Sequence, residues 1–176
     1  MRIPYRFWVN TAVDVPARPE IVAALLKEQD RVLLCHRSLL RRWFPDVWDL
    51  PGGHVDPGET PGQALVRELR EELSIHIVEP SQPPIALIST KEYHMQVWLV
   101  ESWTGTVTNA APDEHDDLAW VDRCGYGHLH LAHLDYPGLL AGVLTATASR
   151  LDSSGRRPRP RWIPRQVRAT VNGGRD

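Results

Sequence analysis

The chain has 176 residues, 42% of them apolar and 24% charged, which suffices for one globular domain and excludes a fibrous or wholly disordered chain. With two cysteines and no long apolar run, a disulfide framework and a membrane span are also excluded; we predict a cytoplasmic protein with reduced cysteines and no membrane partner. The net charge of −2 divides into +6 over residues 150–176 and −8 over the rest. An acidic body suits a divalent-cation site better than a nucleic-acid surface.

The chain begins with an extension and then two strands. Residues 1–18 contain prolines and no clear period. The almost continuous apolar run Ile21–Leu26 predicts a strand covered on both faces, and Glu28–Asp30 predicts the turn into a second strand. A loop rich in arginine and aromatic residues follows over 38–48 and leads into a short Leu-Pro-Gly-Gly segment.

Residues Thr60–Ser74 carry the strongest helix pattern in the chain. Thr60 can cap the first turn, Pro61 suits its first position, and Gln63 completes a capping box. Leucines recur every four residues and predict the buried stripe, which consists of Leu65, Leu69 and Leu73.

The remainder predicts three more strands and a second helix, over Ile85–Thr90, Tyr93–Trp103, Leu118–Val121 and Pro137–Ser149. Strands and helices in this order predict an α/β fold with a mixed sheet packed between helices. We assign residues 19–150 to this domain and residues 151–176 to a basic tail rich in proline and arginine.

Three glutamates of the first helix, Glu68, Glu71 and Glu72, fall within one arc of roughly 100° beside the leucine stripe. Glu68 and Glu72 are one turn apart and repel each other, and Arg67 offers a partner at helical spacing to Glu71 alone. A solvated acidic face would explain these residues by themselves. The glycine- and proline-rich loop ahead of them, which adds Glu59, favours a bound divalent cation such as Mg²⁺.

Residues 53–75 resemble the catalytic segment of the Nudix superfamily. The family pattern is a glycine, five residues, a glutamate, seven residues, then Arg-Glu-aliphatic-any-Glu-Glu-any-Gly-aliphatic. The chain matches it at Gly53, Glu59, Arg67, Glu68, Leu69, Glu71, Glu72 and Ile75. It departs at Ser74, where the family has a glycine that suits a left-handed helix end. The resemblance reaches in order from about Glu20 to Ser149 and implies a Nudix-type α/β/α sandwich.

The resemblance also implies a role for each residue of this segment. Glu68 and Glu72 would be the principal ligands of Mg²⁺, for which Mn²⁺ can substitute, and Glu71 and the Gly53 carbonyl would contribute. One carboxylate would act as base toward the attacking water. Arg67 would hold the carboxylates by ion pairing, and Glu59 would support it.

Family members commonly add an acidic residue from a later loop. The run Asp-Glu-His-Asp-Asp offers three candidates, of which we prefer Glu114 over Asp116 and Asp117. An acidic turn ahead of a strand would explain the run equally well.

The expected reaction is hydrolysis of a nucleoside triphosphate, oxidised dGTP among the candidates, to the monophosphate and pyrophosphate. Arg37 resembles an arginine that contacts substrate phosphates, Trp43 can stack on a base, and the backbone of Gly52 can approach a ligand closely. A surface ion pair for Arg37 and loop packing for Trp43 are the alternatives.

Other functions stay open at this level. The segment ahead of the signature partly resembles coenzyme A pyrophosphatases, and dinucleoside polyphosphates and ADP-ribose are further Nudix substrates. A Nudix fold kept only for nucleotide or RNA binding commonly loses signature carboxylates, and this chain has lost none. We expect a small-molecule nucleotide substrate and no nucleic-acid partner, and we leave a homodimer open.

Overall fold

The computed structural model describes residues 18–144 and 161–162. In chain order these contain β1 (Glu20–Glu28), β2 (Arg31–Arg37), β3 (Trp48–Asp49), β4 (Gly52–His54), α1 (Pro61–Leu73), β5 (Ala86–Ser89), β6 (His94–Val100), β7 (His115–Val121), a 3₁₀ turn (Tyr126–His128), α2 (Tyr136–Val143) and β8 (Arg161–Trp162). Neither α-helix in this part of the chain is long and apolar enough to cross a membrane.

The strands form one mixed sheet in the order β5-β6-β1-β2-β7-β8, in which β3 pairs with β2 and β4 with β1. β1 and β6 are parallel, and the other strand pairs described are antiparallel. β1 and β2 pair at their hairpin end, while β4 pairs with the first half of β1 and β3 with the second half of β2. The chain between β2 and α1 therefore passes through the middle of the sheet and brings Gly52 and Gly53 next to α1.

Both faces of the sheet are covered, because alternate side chains of β1 enter two separate cores. Val22, Ala24 and Leu26 pack on one face with the leucine stripe of α1. Ala23 and Leu25 pack on the opposite face with the apolar side of α2. All five are at most 2% exposed. This arrangement confirms the α/β sandwich and the prediction of a first strand covered on both faces.

Helix α1 follows its sequence pattern closely. The Thr60 hydroxyl accepts a hydrogen bond from the Gln63 N–H, and the Gln63 side chain accepts one from the Thr60 N–H, which completes the capping box. The helix ends at Leu73, and Ser74 caps it with φ of 57° and ψ of 32°. Serine thus takes the left-handed conformation that favours glycine.

One prediction was wrong for the segment ahead of α1, which we predicted only as a glycine- and proline-rich loop. Residues 52–54 form β4, where Gly52 has φ of 146° and a Cβ atom would lie 2.1 Å from the Val22 carbonyl oxygen. Glycine is therefore required for this strand to approach β1.

Several predicted ends also differ. β6 ends at Val100 rather than Trp103, and β7 begins at His115, three residues before the predicted Leu118. Helix α2 ends at Val143, and predicted residues 145–149 lie outside the described part of the chain. Within the predicted tail, Arg161–Trp162 pairs with β7, a contact that no local pattern announced.

Candidate active site

The site lies where β4 passes against helix α1. A Cβ atom on Gly53 would lie 2.3 Å from Oε1 of Glu68, so only glycine allows this carboxylate to pack against the strand. The close approach explains why a glycine precedes the helix at a fixed distance. It joins β4 and the acidic side of α1 into one surface.

Glu72 is buried, with 3% of the residue exposed, although its sequence position placed it beside the leucine stripe. Its Oε2 accepts a hydrogen bond from the Gly52 N–H at 2.8 Å, and its Oε1 lies 3.7 Å from Nε2 of His115. Burial raises the pKa of the Glu72 carboxyl well above its usual range, and the charge of Glu68 raises it further. Ionisation of Glu72 therefore calls for a positive charge nearby.

Glu68 lies next to Glu72 and shares its environment. Burial raises the pKa of the Glu68 carboxyl, the Arg67 guanidinium opposes that rise, and the charges of Glu71 and Glu114 add to it. Glu114 acts on the pKa of Glu72 in the same direction. Glu114, although distant in sequence, therefore lies close enough to act on the charges of Glu68 and Glu72.

Arg67 organises the outer side of this carboxylate group. It donates to both oxygens of Glu59, at 2.8 and 3.0 Å, and to Glu68 Oε1 at 2.8 Å. It also reaches Glu71 Oε2 at 3.3 Å and the His54 carbonyl at 2.9 Å. The bidentate pair lowers the pKa of the Glu59 carboxyl and raises that of the guanidinium. Arg67 and Glu59 thus fix the signature loop to the helix.

The acidic run before β7 divides its members among different neighbours. The Glu114 carboxylate forms an ion pair with Arg41 at 3.0 Å, and its backbone carbonyl accepts from the Ser38 N–H. Asp116 is instead 2.6 Å from Nδ1 of His36, and Asp117 accepts from the backbone of Leu118. Of the three candidates, Glu114 is the one whose charge acts on Glu68 and Glu72.

An open cavity of about 350 Å³ is lined by Arg41, the ion-pair partner of Glu114, and by Arg37, Leu40, Arg42, Trp43 and Asp113. The Trp43 side chain is 66% exposed, and the Arg42 guanidinium lies 5.6 Å from the centre of its ring. Arg37 points back into the loop: it donates to the carbonyls of Trp43 and Phe44 and lies 3.6 Å from Asp49. The cavity therefore offers an open aromatic face and an excess of positive charge.

Comparison with known proteins identifies the family. The NUDIX domain model matches residues 16–133. This chain belongs to the Nudix hydrolases. A CTP pyrophosphohydrolase of Escherichia coli (strain K12) is 33% identical over 133 residues, which are 74% of this Nudix chain and 95% of that protein. A nucleoside triphosphatase NudI of Enterobacter sp. (strain 638) is 30% identical over 114 residues, 58% of this chain and 81% of that protein.

Solved Nudix structures have the same fold. The E. coli ORF135 protein is 29% identical with a TM-score of 0.57 and covers 76% of this chain and 93% of its own. The MutT NUDIX hydrolase from Burkholderia pseudomallei is 25% identical with a TM-score of 0.56, over 62% of this chain and 86% of its own. The protein is accordingly an enzyme that hydrolyses phosphoric anhydride bonds.

The donor set of this Nudix hydrolase fits a hard divalent cation. Among the residues described, no three His, Cys, Asp or Glu side chains already stand together as a complete metal cluster. Glu68 and Glu72 nevertheless present carboxylate oxygens in a partly buried site, where burial opposes the ionisation of both and the charge of Glu68 also opposes that of Glu72. Oxygen ligands of this kind are what Mg²⁺ takes while keeping waters and substrate phosphates.

Two residues near the Nudix site, His115 and Arg41, were not predicted from the sequence. His115 is 2% exposed and faces Glu72, and a register shift between His36 and Arg37 skips one residue of β7. Such a bulge interrupts the alternation of inward- and outward-facing side chains along a strand, so a buried residue cannot be identified from that alternation. Arg41 lay among several arginines of the loop, and its pairing with Glu114 depends on residues 73 positions apart. No local signal could single out either one.

Proposed function

We propose that the protein is a Mg²⁺-dependent pyrophosphohydrolase that cleaves a nucleoside triphosphate to the monophosphate and pyrophosphate. The observation that carries the proposal is the like-charged pair of half-buried Glu68 and buried Glu72. The charge of Glu114 raises both of their pKa values, and Glu114 forms an ion pair with Arg41, which lines the cavity together with Trp43. The Arg41–Glu114 ion pair thus connects the basic cavity with a carboxylate that acts on the acidic side of α1. A divalent cation held by these carboxylates would neutralise part of the phosphate charge, and an arginine of the cavity would neutralise more of it.

In this proposal Glu68 and Glu72 hold Mg²⁺, with Glu71, Glu114 and the Gly53 carbonyl as further donors. The bound ion supplies neutralisation of the charge that builds on the phosphate oxygens. Gly52 fixes Glu72 through its N–H, so we assign it to positioning that carboxylate as well as to the substrate side of β4. One of the carboxylates takes the proton of the attacking water.

Arg67 keeps Glu68 oriented from the outer side through an ion pair at 2.8 Å, and Glu59 holds Arg67 by two hydrogen bonds. Because these contacts already restrict the Glu68 side chain, it loses less conformational entropy when a cation binds, which favours binding.

The choice of triphosphate is supported by the named activities of the E. coli CTP pyrophosphohydrolase and of NudI, both at least 30% identical to this chain. Trp43 offers a base-stacking face that does not itself select one base, since every base has a π-face. Oxidised dGTP and CTP are therefore both within the proposal. The cytoplasmic location and the absence of a nucleic-acid partner stay predictions from the sequence.

A Mg²⁺-supplemented screen tests the proposal. The purified chain is incubated with the common nucleoside triphosphates, 8-oxo-dGTP, ADP-ribose, a dinucleoside polyphosphate and coenzyme A, and the products are separated by ion-exchange chromatography. We expect a monophosphate and pyrophosphate from one or more triphosphates, with no turnover in EDTA. Orthophosphate as the sole inorganic product, or turnover confined to the non-triphosphate compounds, would overturn it.

A further inference from the structure

The three arginines that line the cavity are engaged to very different degrees. Arg37 donates from Nε and from one terminal nitrogen to loop carbonyls, and its third nitrogen lies near Asp49. Its side chain is only 16% exposed. Because a guanidinium has five N–H donors in a fixed fork, these contacts direct Arg37 inward and leave it little to offer a ligand. Arg37 instead holds the Trp43–Phe44 backbone in place.

Arg42 is directed to Trp43, over whose ring its guanidinium lies. A guanidinium stacked on an aromatic face supports that ring and leaves it less free to reach elsewhere. Arg42 is therefore positioned beside the ring on which a base would stack, and not toward the phosphates.

Arg41 differs from both, because it lines the cavity and pairs with the carboxylate of Glu114. One terminal nitrogen is 3.0 Å from Glu114 Oε2, and the side chain is 37% exposed while that of Glu114 is 41% exposed. An ion pair this open to water contributes little to stability, so its partners can separate at low cost. Glu114 directly precedes His115, whose Nε2 lies 3.7 Å from Glu72 Oε1. The segment that pairs with Arg41 therefore also contacts a carboxylate of α1.

We infer that Arg41 is the phosphate-binding residue of this enzyme and that Glu114 occupies it until substrate and cation arrive. On binding, the triphosphate would replace Glu114 on the guanidinium, and the released carboxylate would be available as a ligand of the cation. Arg41 would then pair with a phosphate and Glu114 with the cation, so neither side chain would be left as an unpaired charge. The inference deepens the proposed function and rests on it for the identity of the ligand as a triphosphate.

The first experiment measures phosphate binding without catalysis. Inorganic tripolyphosphate is titrated into the full-length chain in EDTA and followed by calorimetry, for the wild type, Arg41→Ala and Arg31→Ala. We expect Arg41→Ala to weaken binding roughly tenfold to hundredfold, as for loss of a charged hydrogen bond. Arg31→Ala removes the same charge at the opposite end of β2 and should change the dissociation constant by less than about twofold at moderate salt.

The exchange of partners gives a second, opposite signature. Glu114→Gln frees Arg41 and should strengthen metal-free tripolyphosphate binding several-fold, whereas a bridge that merely shaped the loop would weaken binding when broken. Asp113→Asn is the matched control, since it removes the same charge from the same cavity and leaves the ion pair in place. Equal effects of these two variants, or equal effects of Arg41→Ala and Arg31→Ala, would overturn the inference.

Steady-state kinetics then separate the inference from the proposed function. With a triphosphate that the wild type hydrolyses, Arg41→Ala should raise KM by a factor similar to its loss of tripolyphosphate affinity. If the enzyme hydrolyses no triphosphate while Arg41→Ala still weakens tripolyphosphate binding, the substrate proposal fails and the role of Arg41 stands. If pyrophosphate is released normally and Arg41→Ala binds tripolyphosphate like the wild type, the role of Arg41 fails alone.

Discussion

At the scale of single residues, the defining feature of the site is Glu72, a carboxyl group whose surroundings oppose its ionisation. Glu72 is as buried as many of the core side chains, and its contacts are one backbone N–H and the distant edge of a histidine ring. An ionised carboxylate with no function in that position would only destabilise the fold, because burying an unpaired charge is costly. The residue is explained if a cation supplies the missing charge.

Glutamine at either helix position should separate chemistry from folding. Glu68→Gln and Glu72→Gln keep the side-chain shape, and in the second variant the amide oxygen can still accept from the Gly52 N–H, so the fold should remain intact. We expect each to lower kcat by about two to three orders of magnitude, because a metal ligand is lost. The measurement is Mg²⁺-dependent hydrolysis of the triphosphate found in the screen, with circular dichroism as the folding check.

The control is Glu92→Gln, which removes an exposed carboxylate from the turn between β5 and β6. Its activity should match the wild type. Near-normal hydrolysis by both helix variants would remove Glu68 and Glu72 from the proposed metal site.

At the scale of elements, helix α1 holds the signature glutamates in place because both of its ends are fixed. The capping box at Thr60 satisfies the first turn, and the Ser74 N–H bonds back to Arg70 at the other end. Between them the leucine stripe holds the helix on the sheet, so the glutamates face β4. The one local strain in this helix lies at Ser74, whose φ of 57° is unfavourable for a residue with a side chain.

Ser74→Gly should therefore stabilise the protein. The gain should be about 0.5–1 kcal/mol, which is the relief of the left-handed penalty less the extra chain entropy that glycine adds to the unfolded state. Urea denaturation measures it, and Ser74→Ala serves as the matched variant because alanine keeps the penalty. A Ser74→Gly stability no higher than that of Ser74→Ala would show that the cap is unstrained.

At the scale of the whole molecule, the sheet brings three distant segments to one place. β4 delivers Gly52 and Gly53, the loop after β2 delivers Arg41 and Trp43, and the turn before β7 delivers Glu114. The charge of Glu114 raises the pKa values of Glu68 and Glu72, and the charge of Glu68 also raises that of Glu72. The metal-free protein should consequently be less stable than the loaded one.

Addition of Mg²⁺ should raise the Tm, and the increase should grow with pH. The pKa of Glu72 is raised in the folded state, so its contribution to stability is present at low pH and is lost as pH rises through that folded value. Mg²⁺ competes with the proton and restores stability where the carboxylate is ionised. Differential scanning fluorimetry at about pH 6 and pH 8, with EDTA or Mg²⁺, measures the difference.

The double variant Glu68→Gln/Glu72→Gln provides the comparison for this linkage. It should show a small Mg²⁺ effect that does not change with pH. An increase in Tm equal to that of the wild type would mean that the ion binds elsewhere.

The sequence by itself determined the reaction class and the helix that bears the signature glutamates. The signature from Gly53 to Ile75 is contiguous, and periodicity and capping are local properties, so α1 and its glutamates could be predicted within a residue or two. The near-continuous apolar run of β1 likewise predicted a sheet covered on both faces. Only the tertiary structure decided that Glu72 is buried, that Arg37 turns inward and that Arg41 meets Glu114. Those outcomes depend on close approach of segments far apart in sequence and on a β-bulge that breaks the strand period, neither of which leaves a mark on a local pattern.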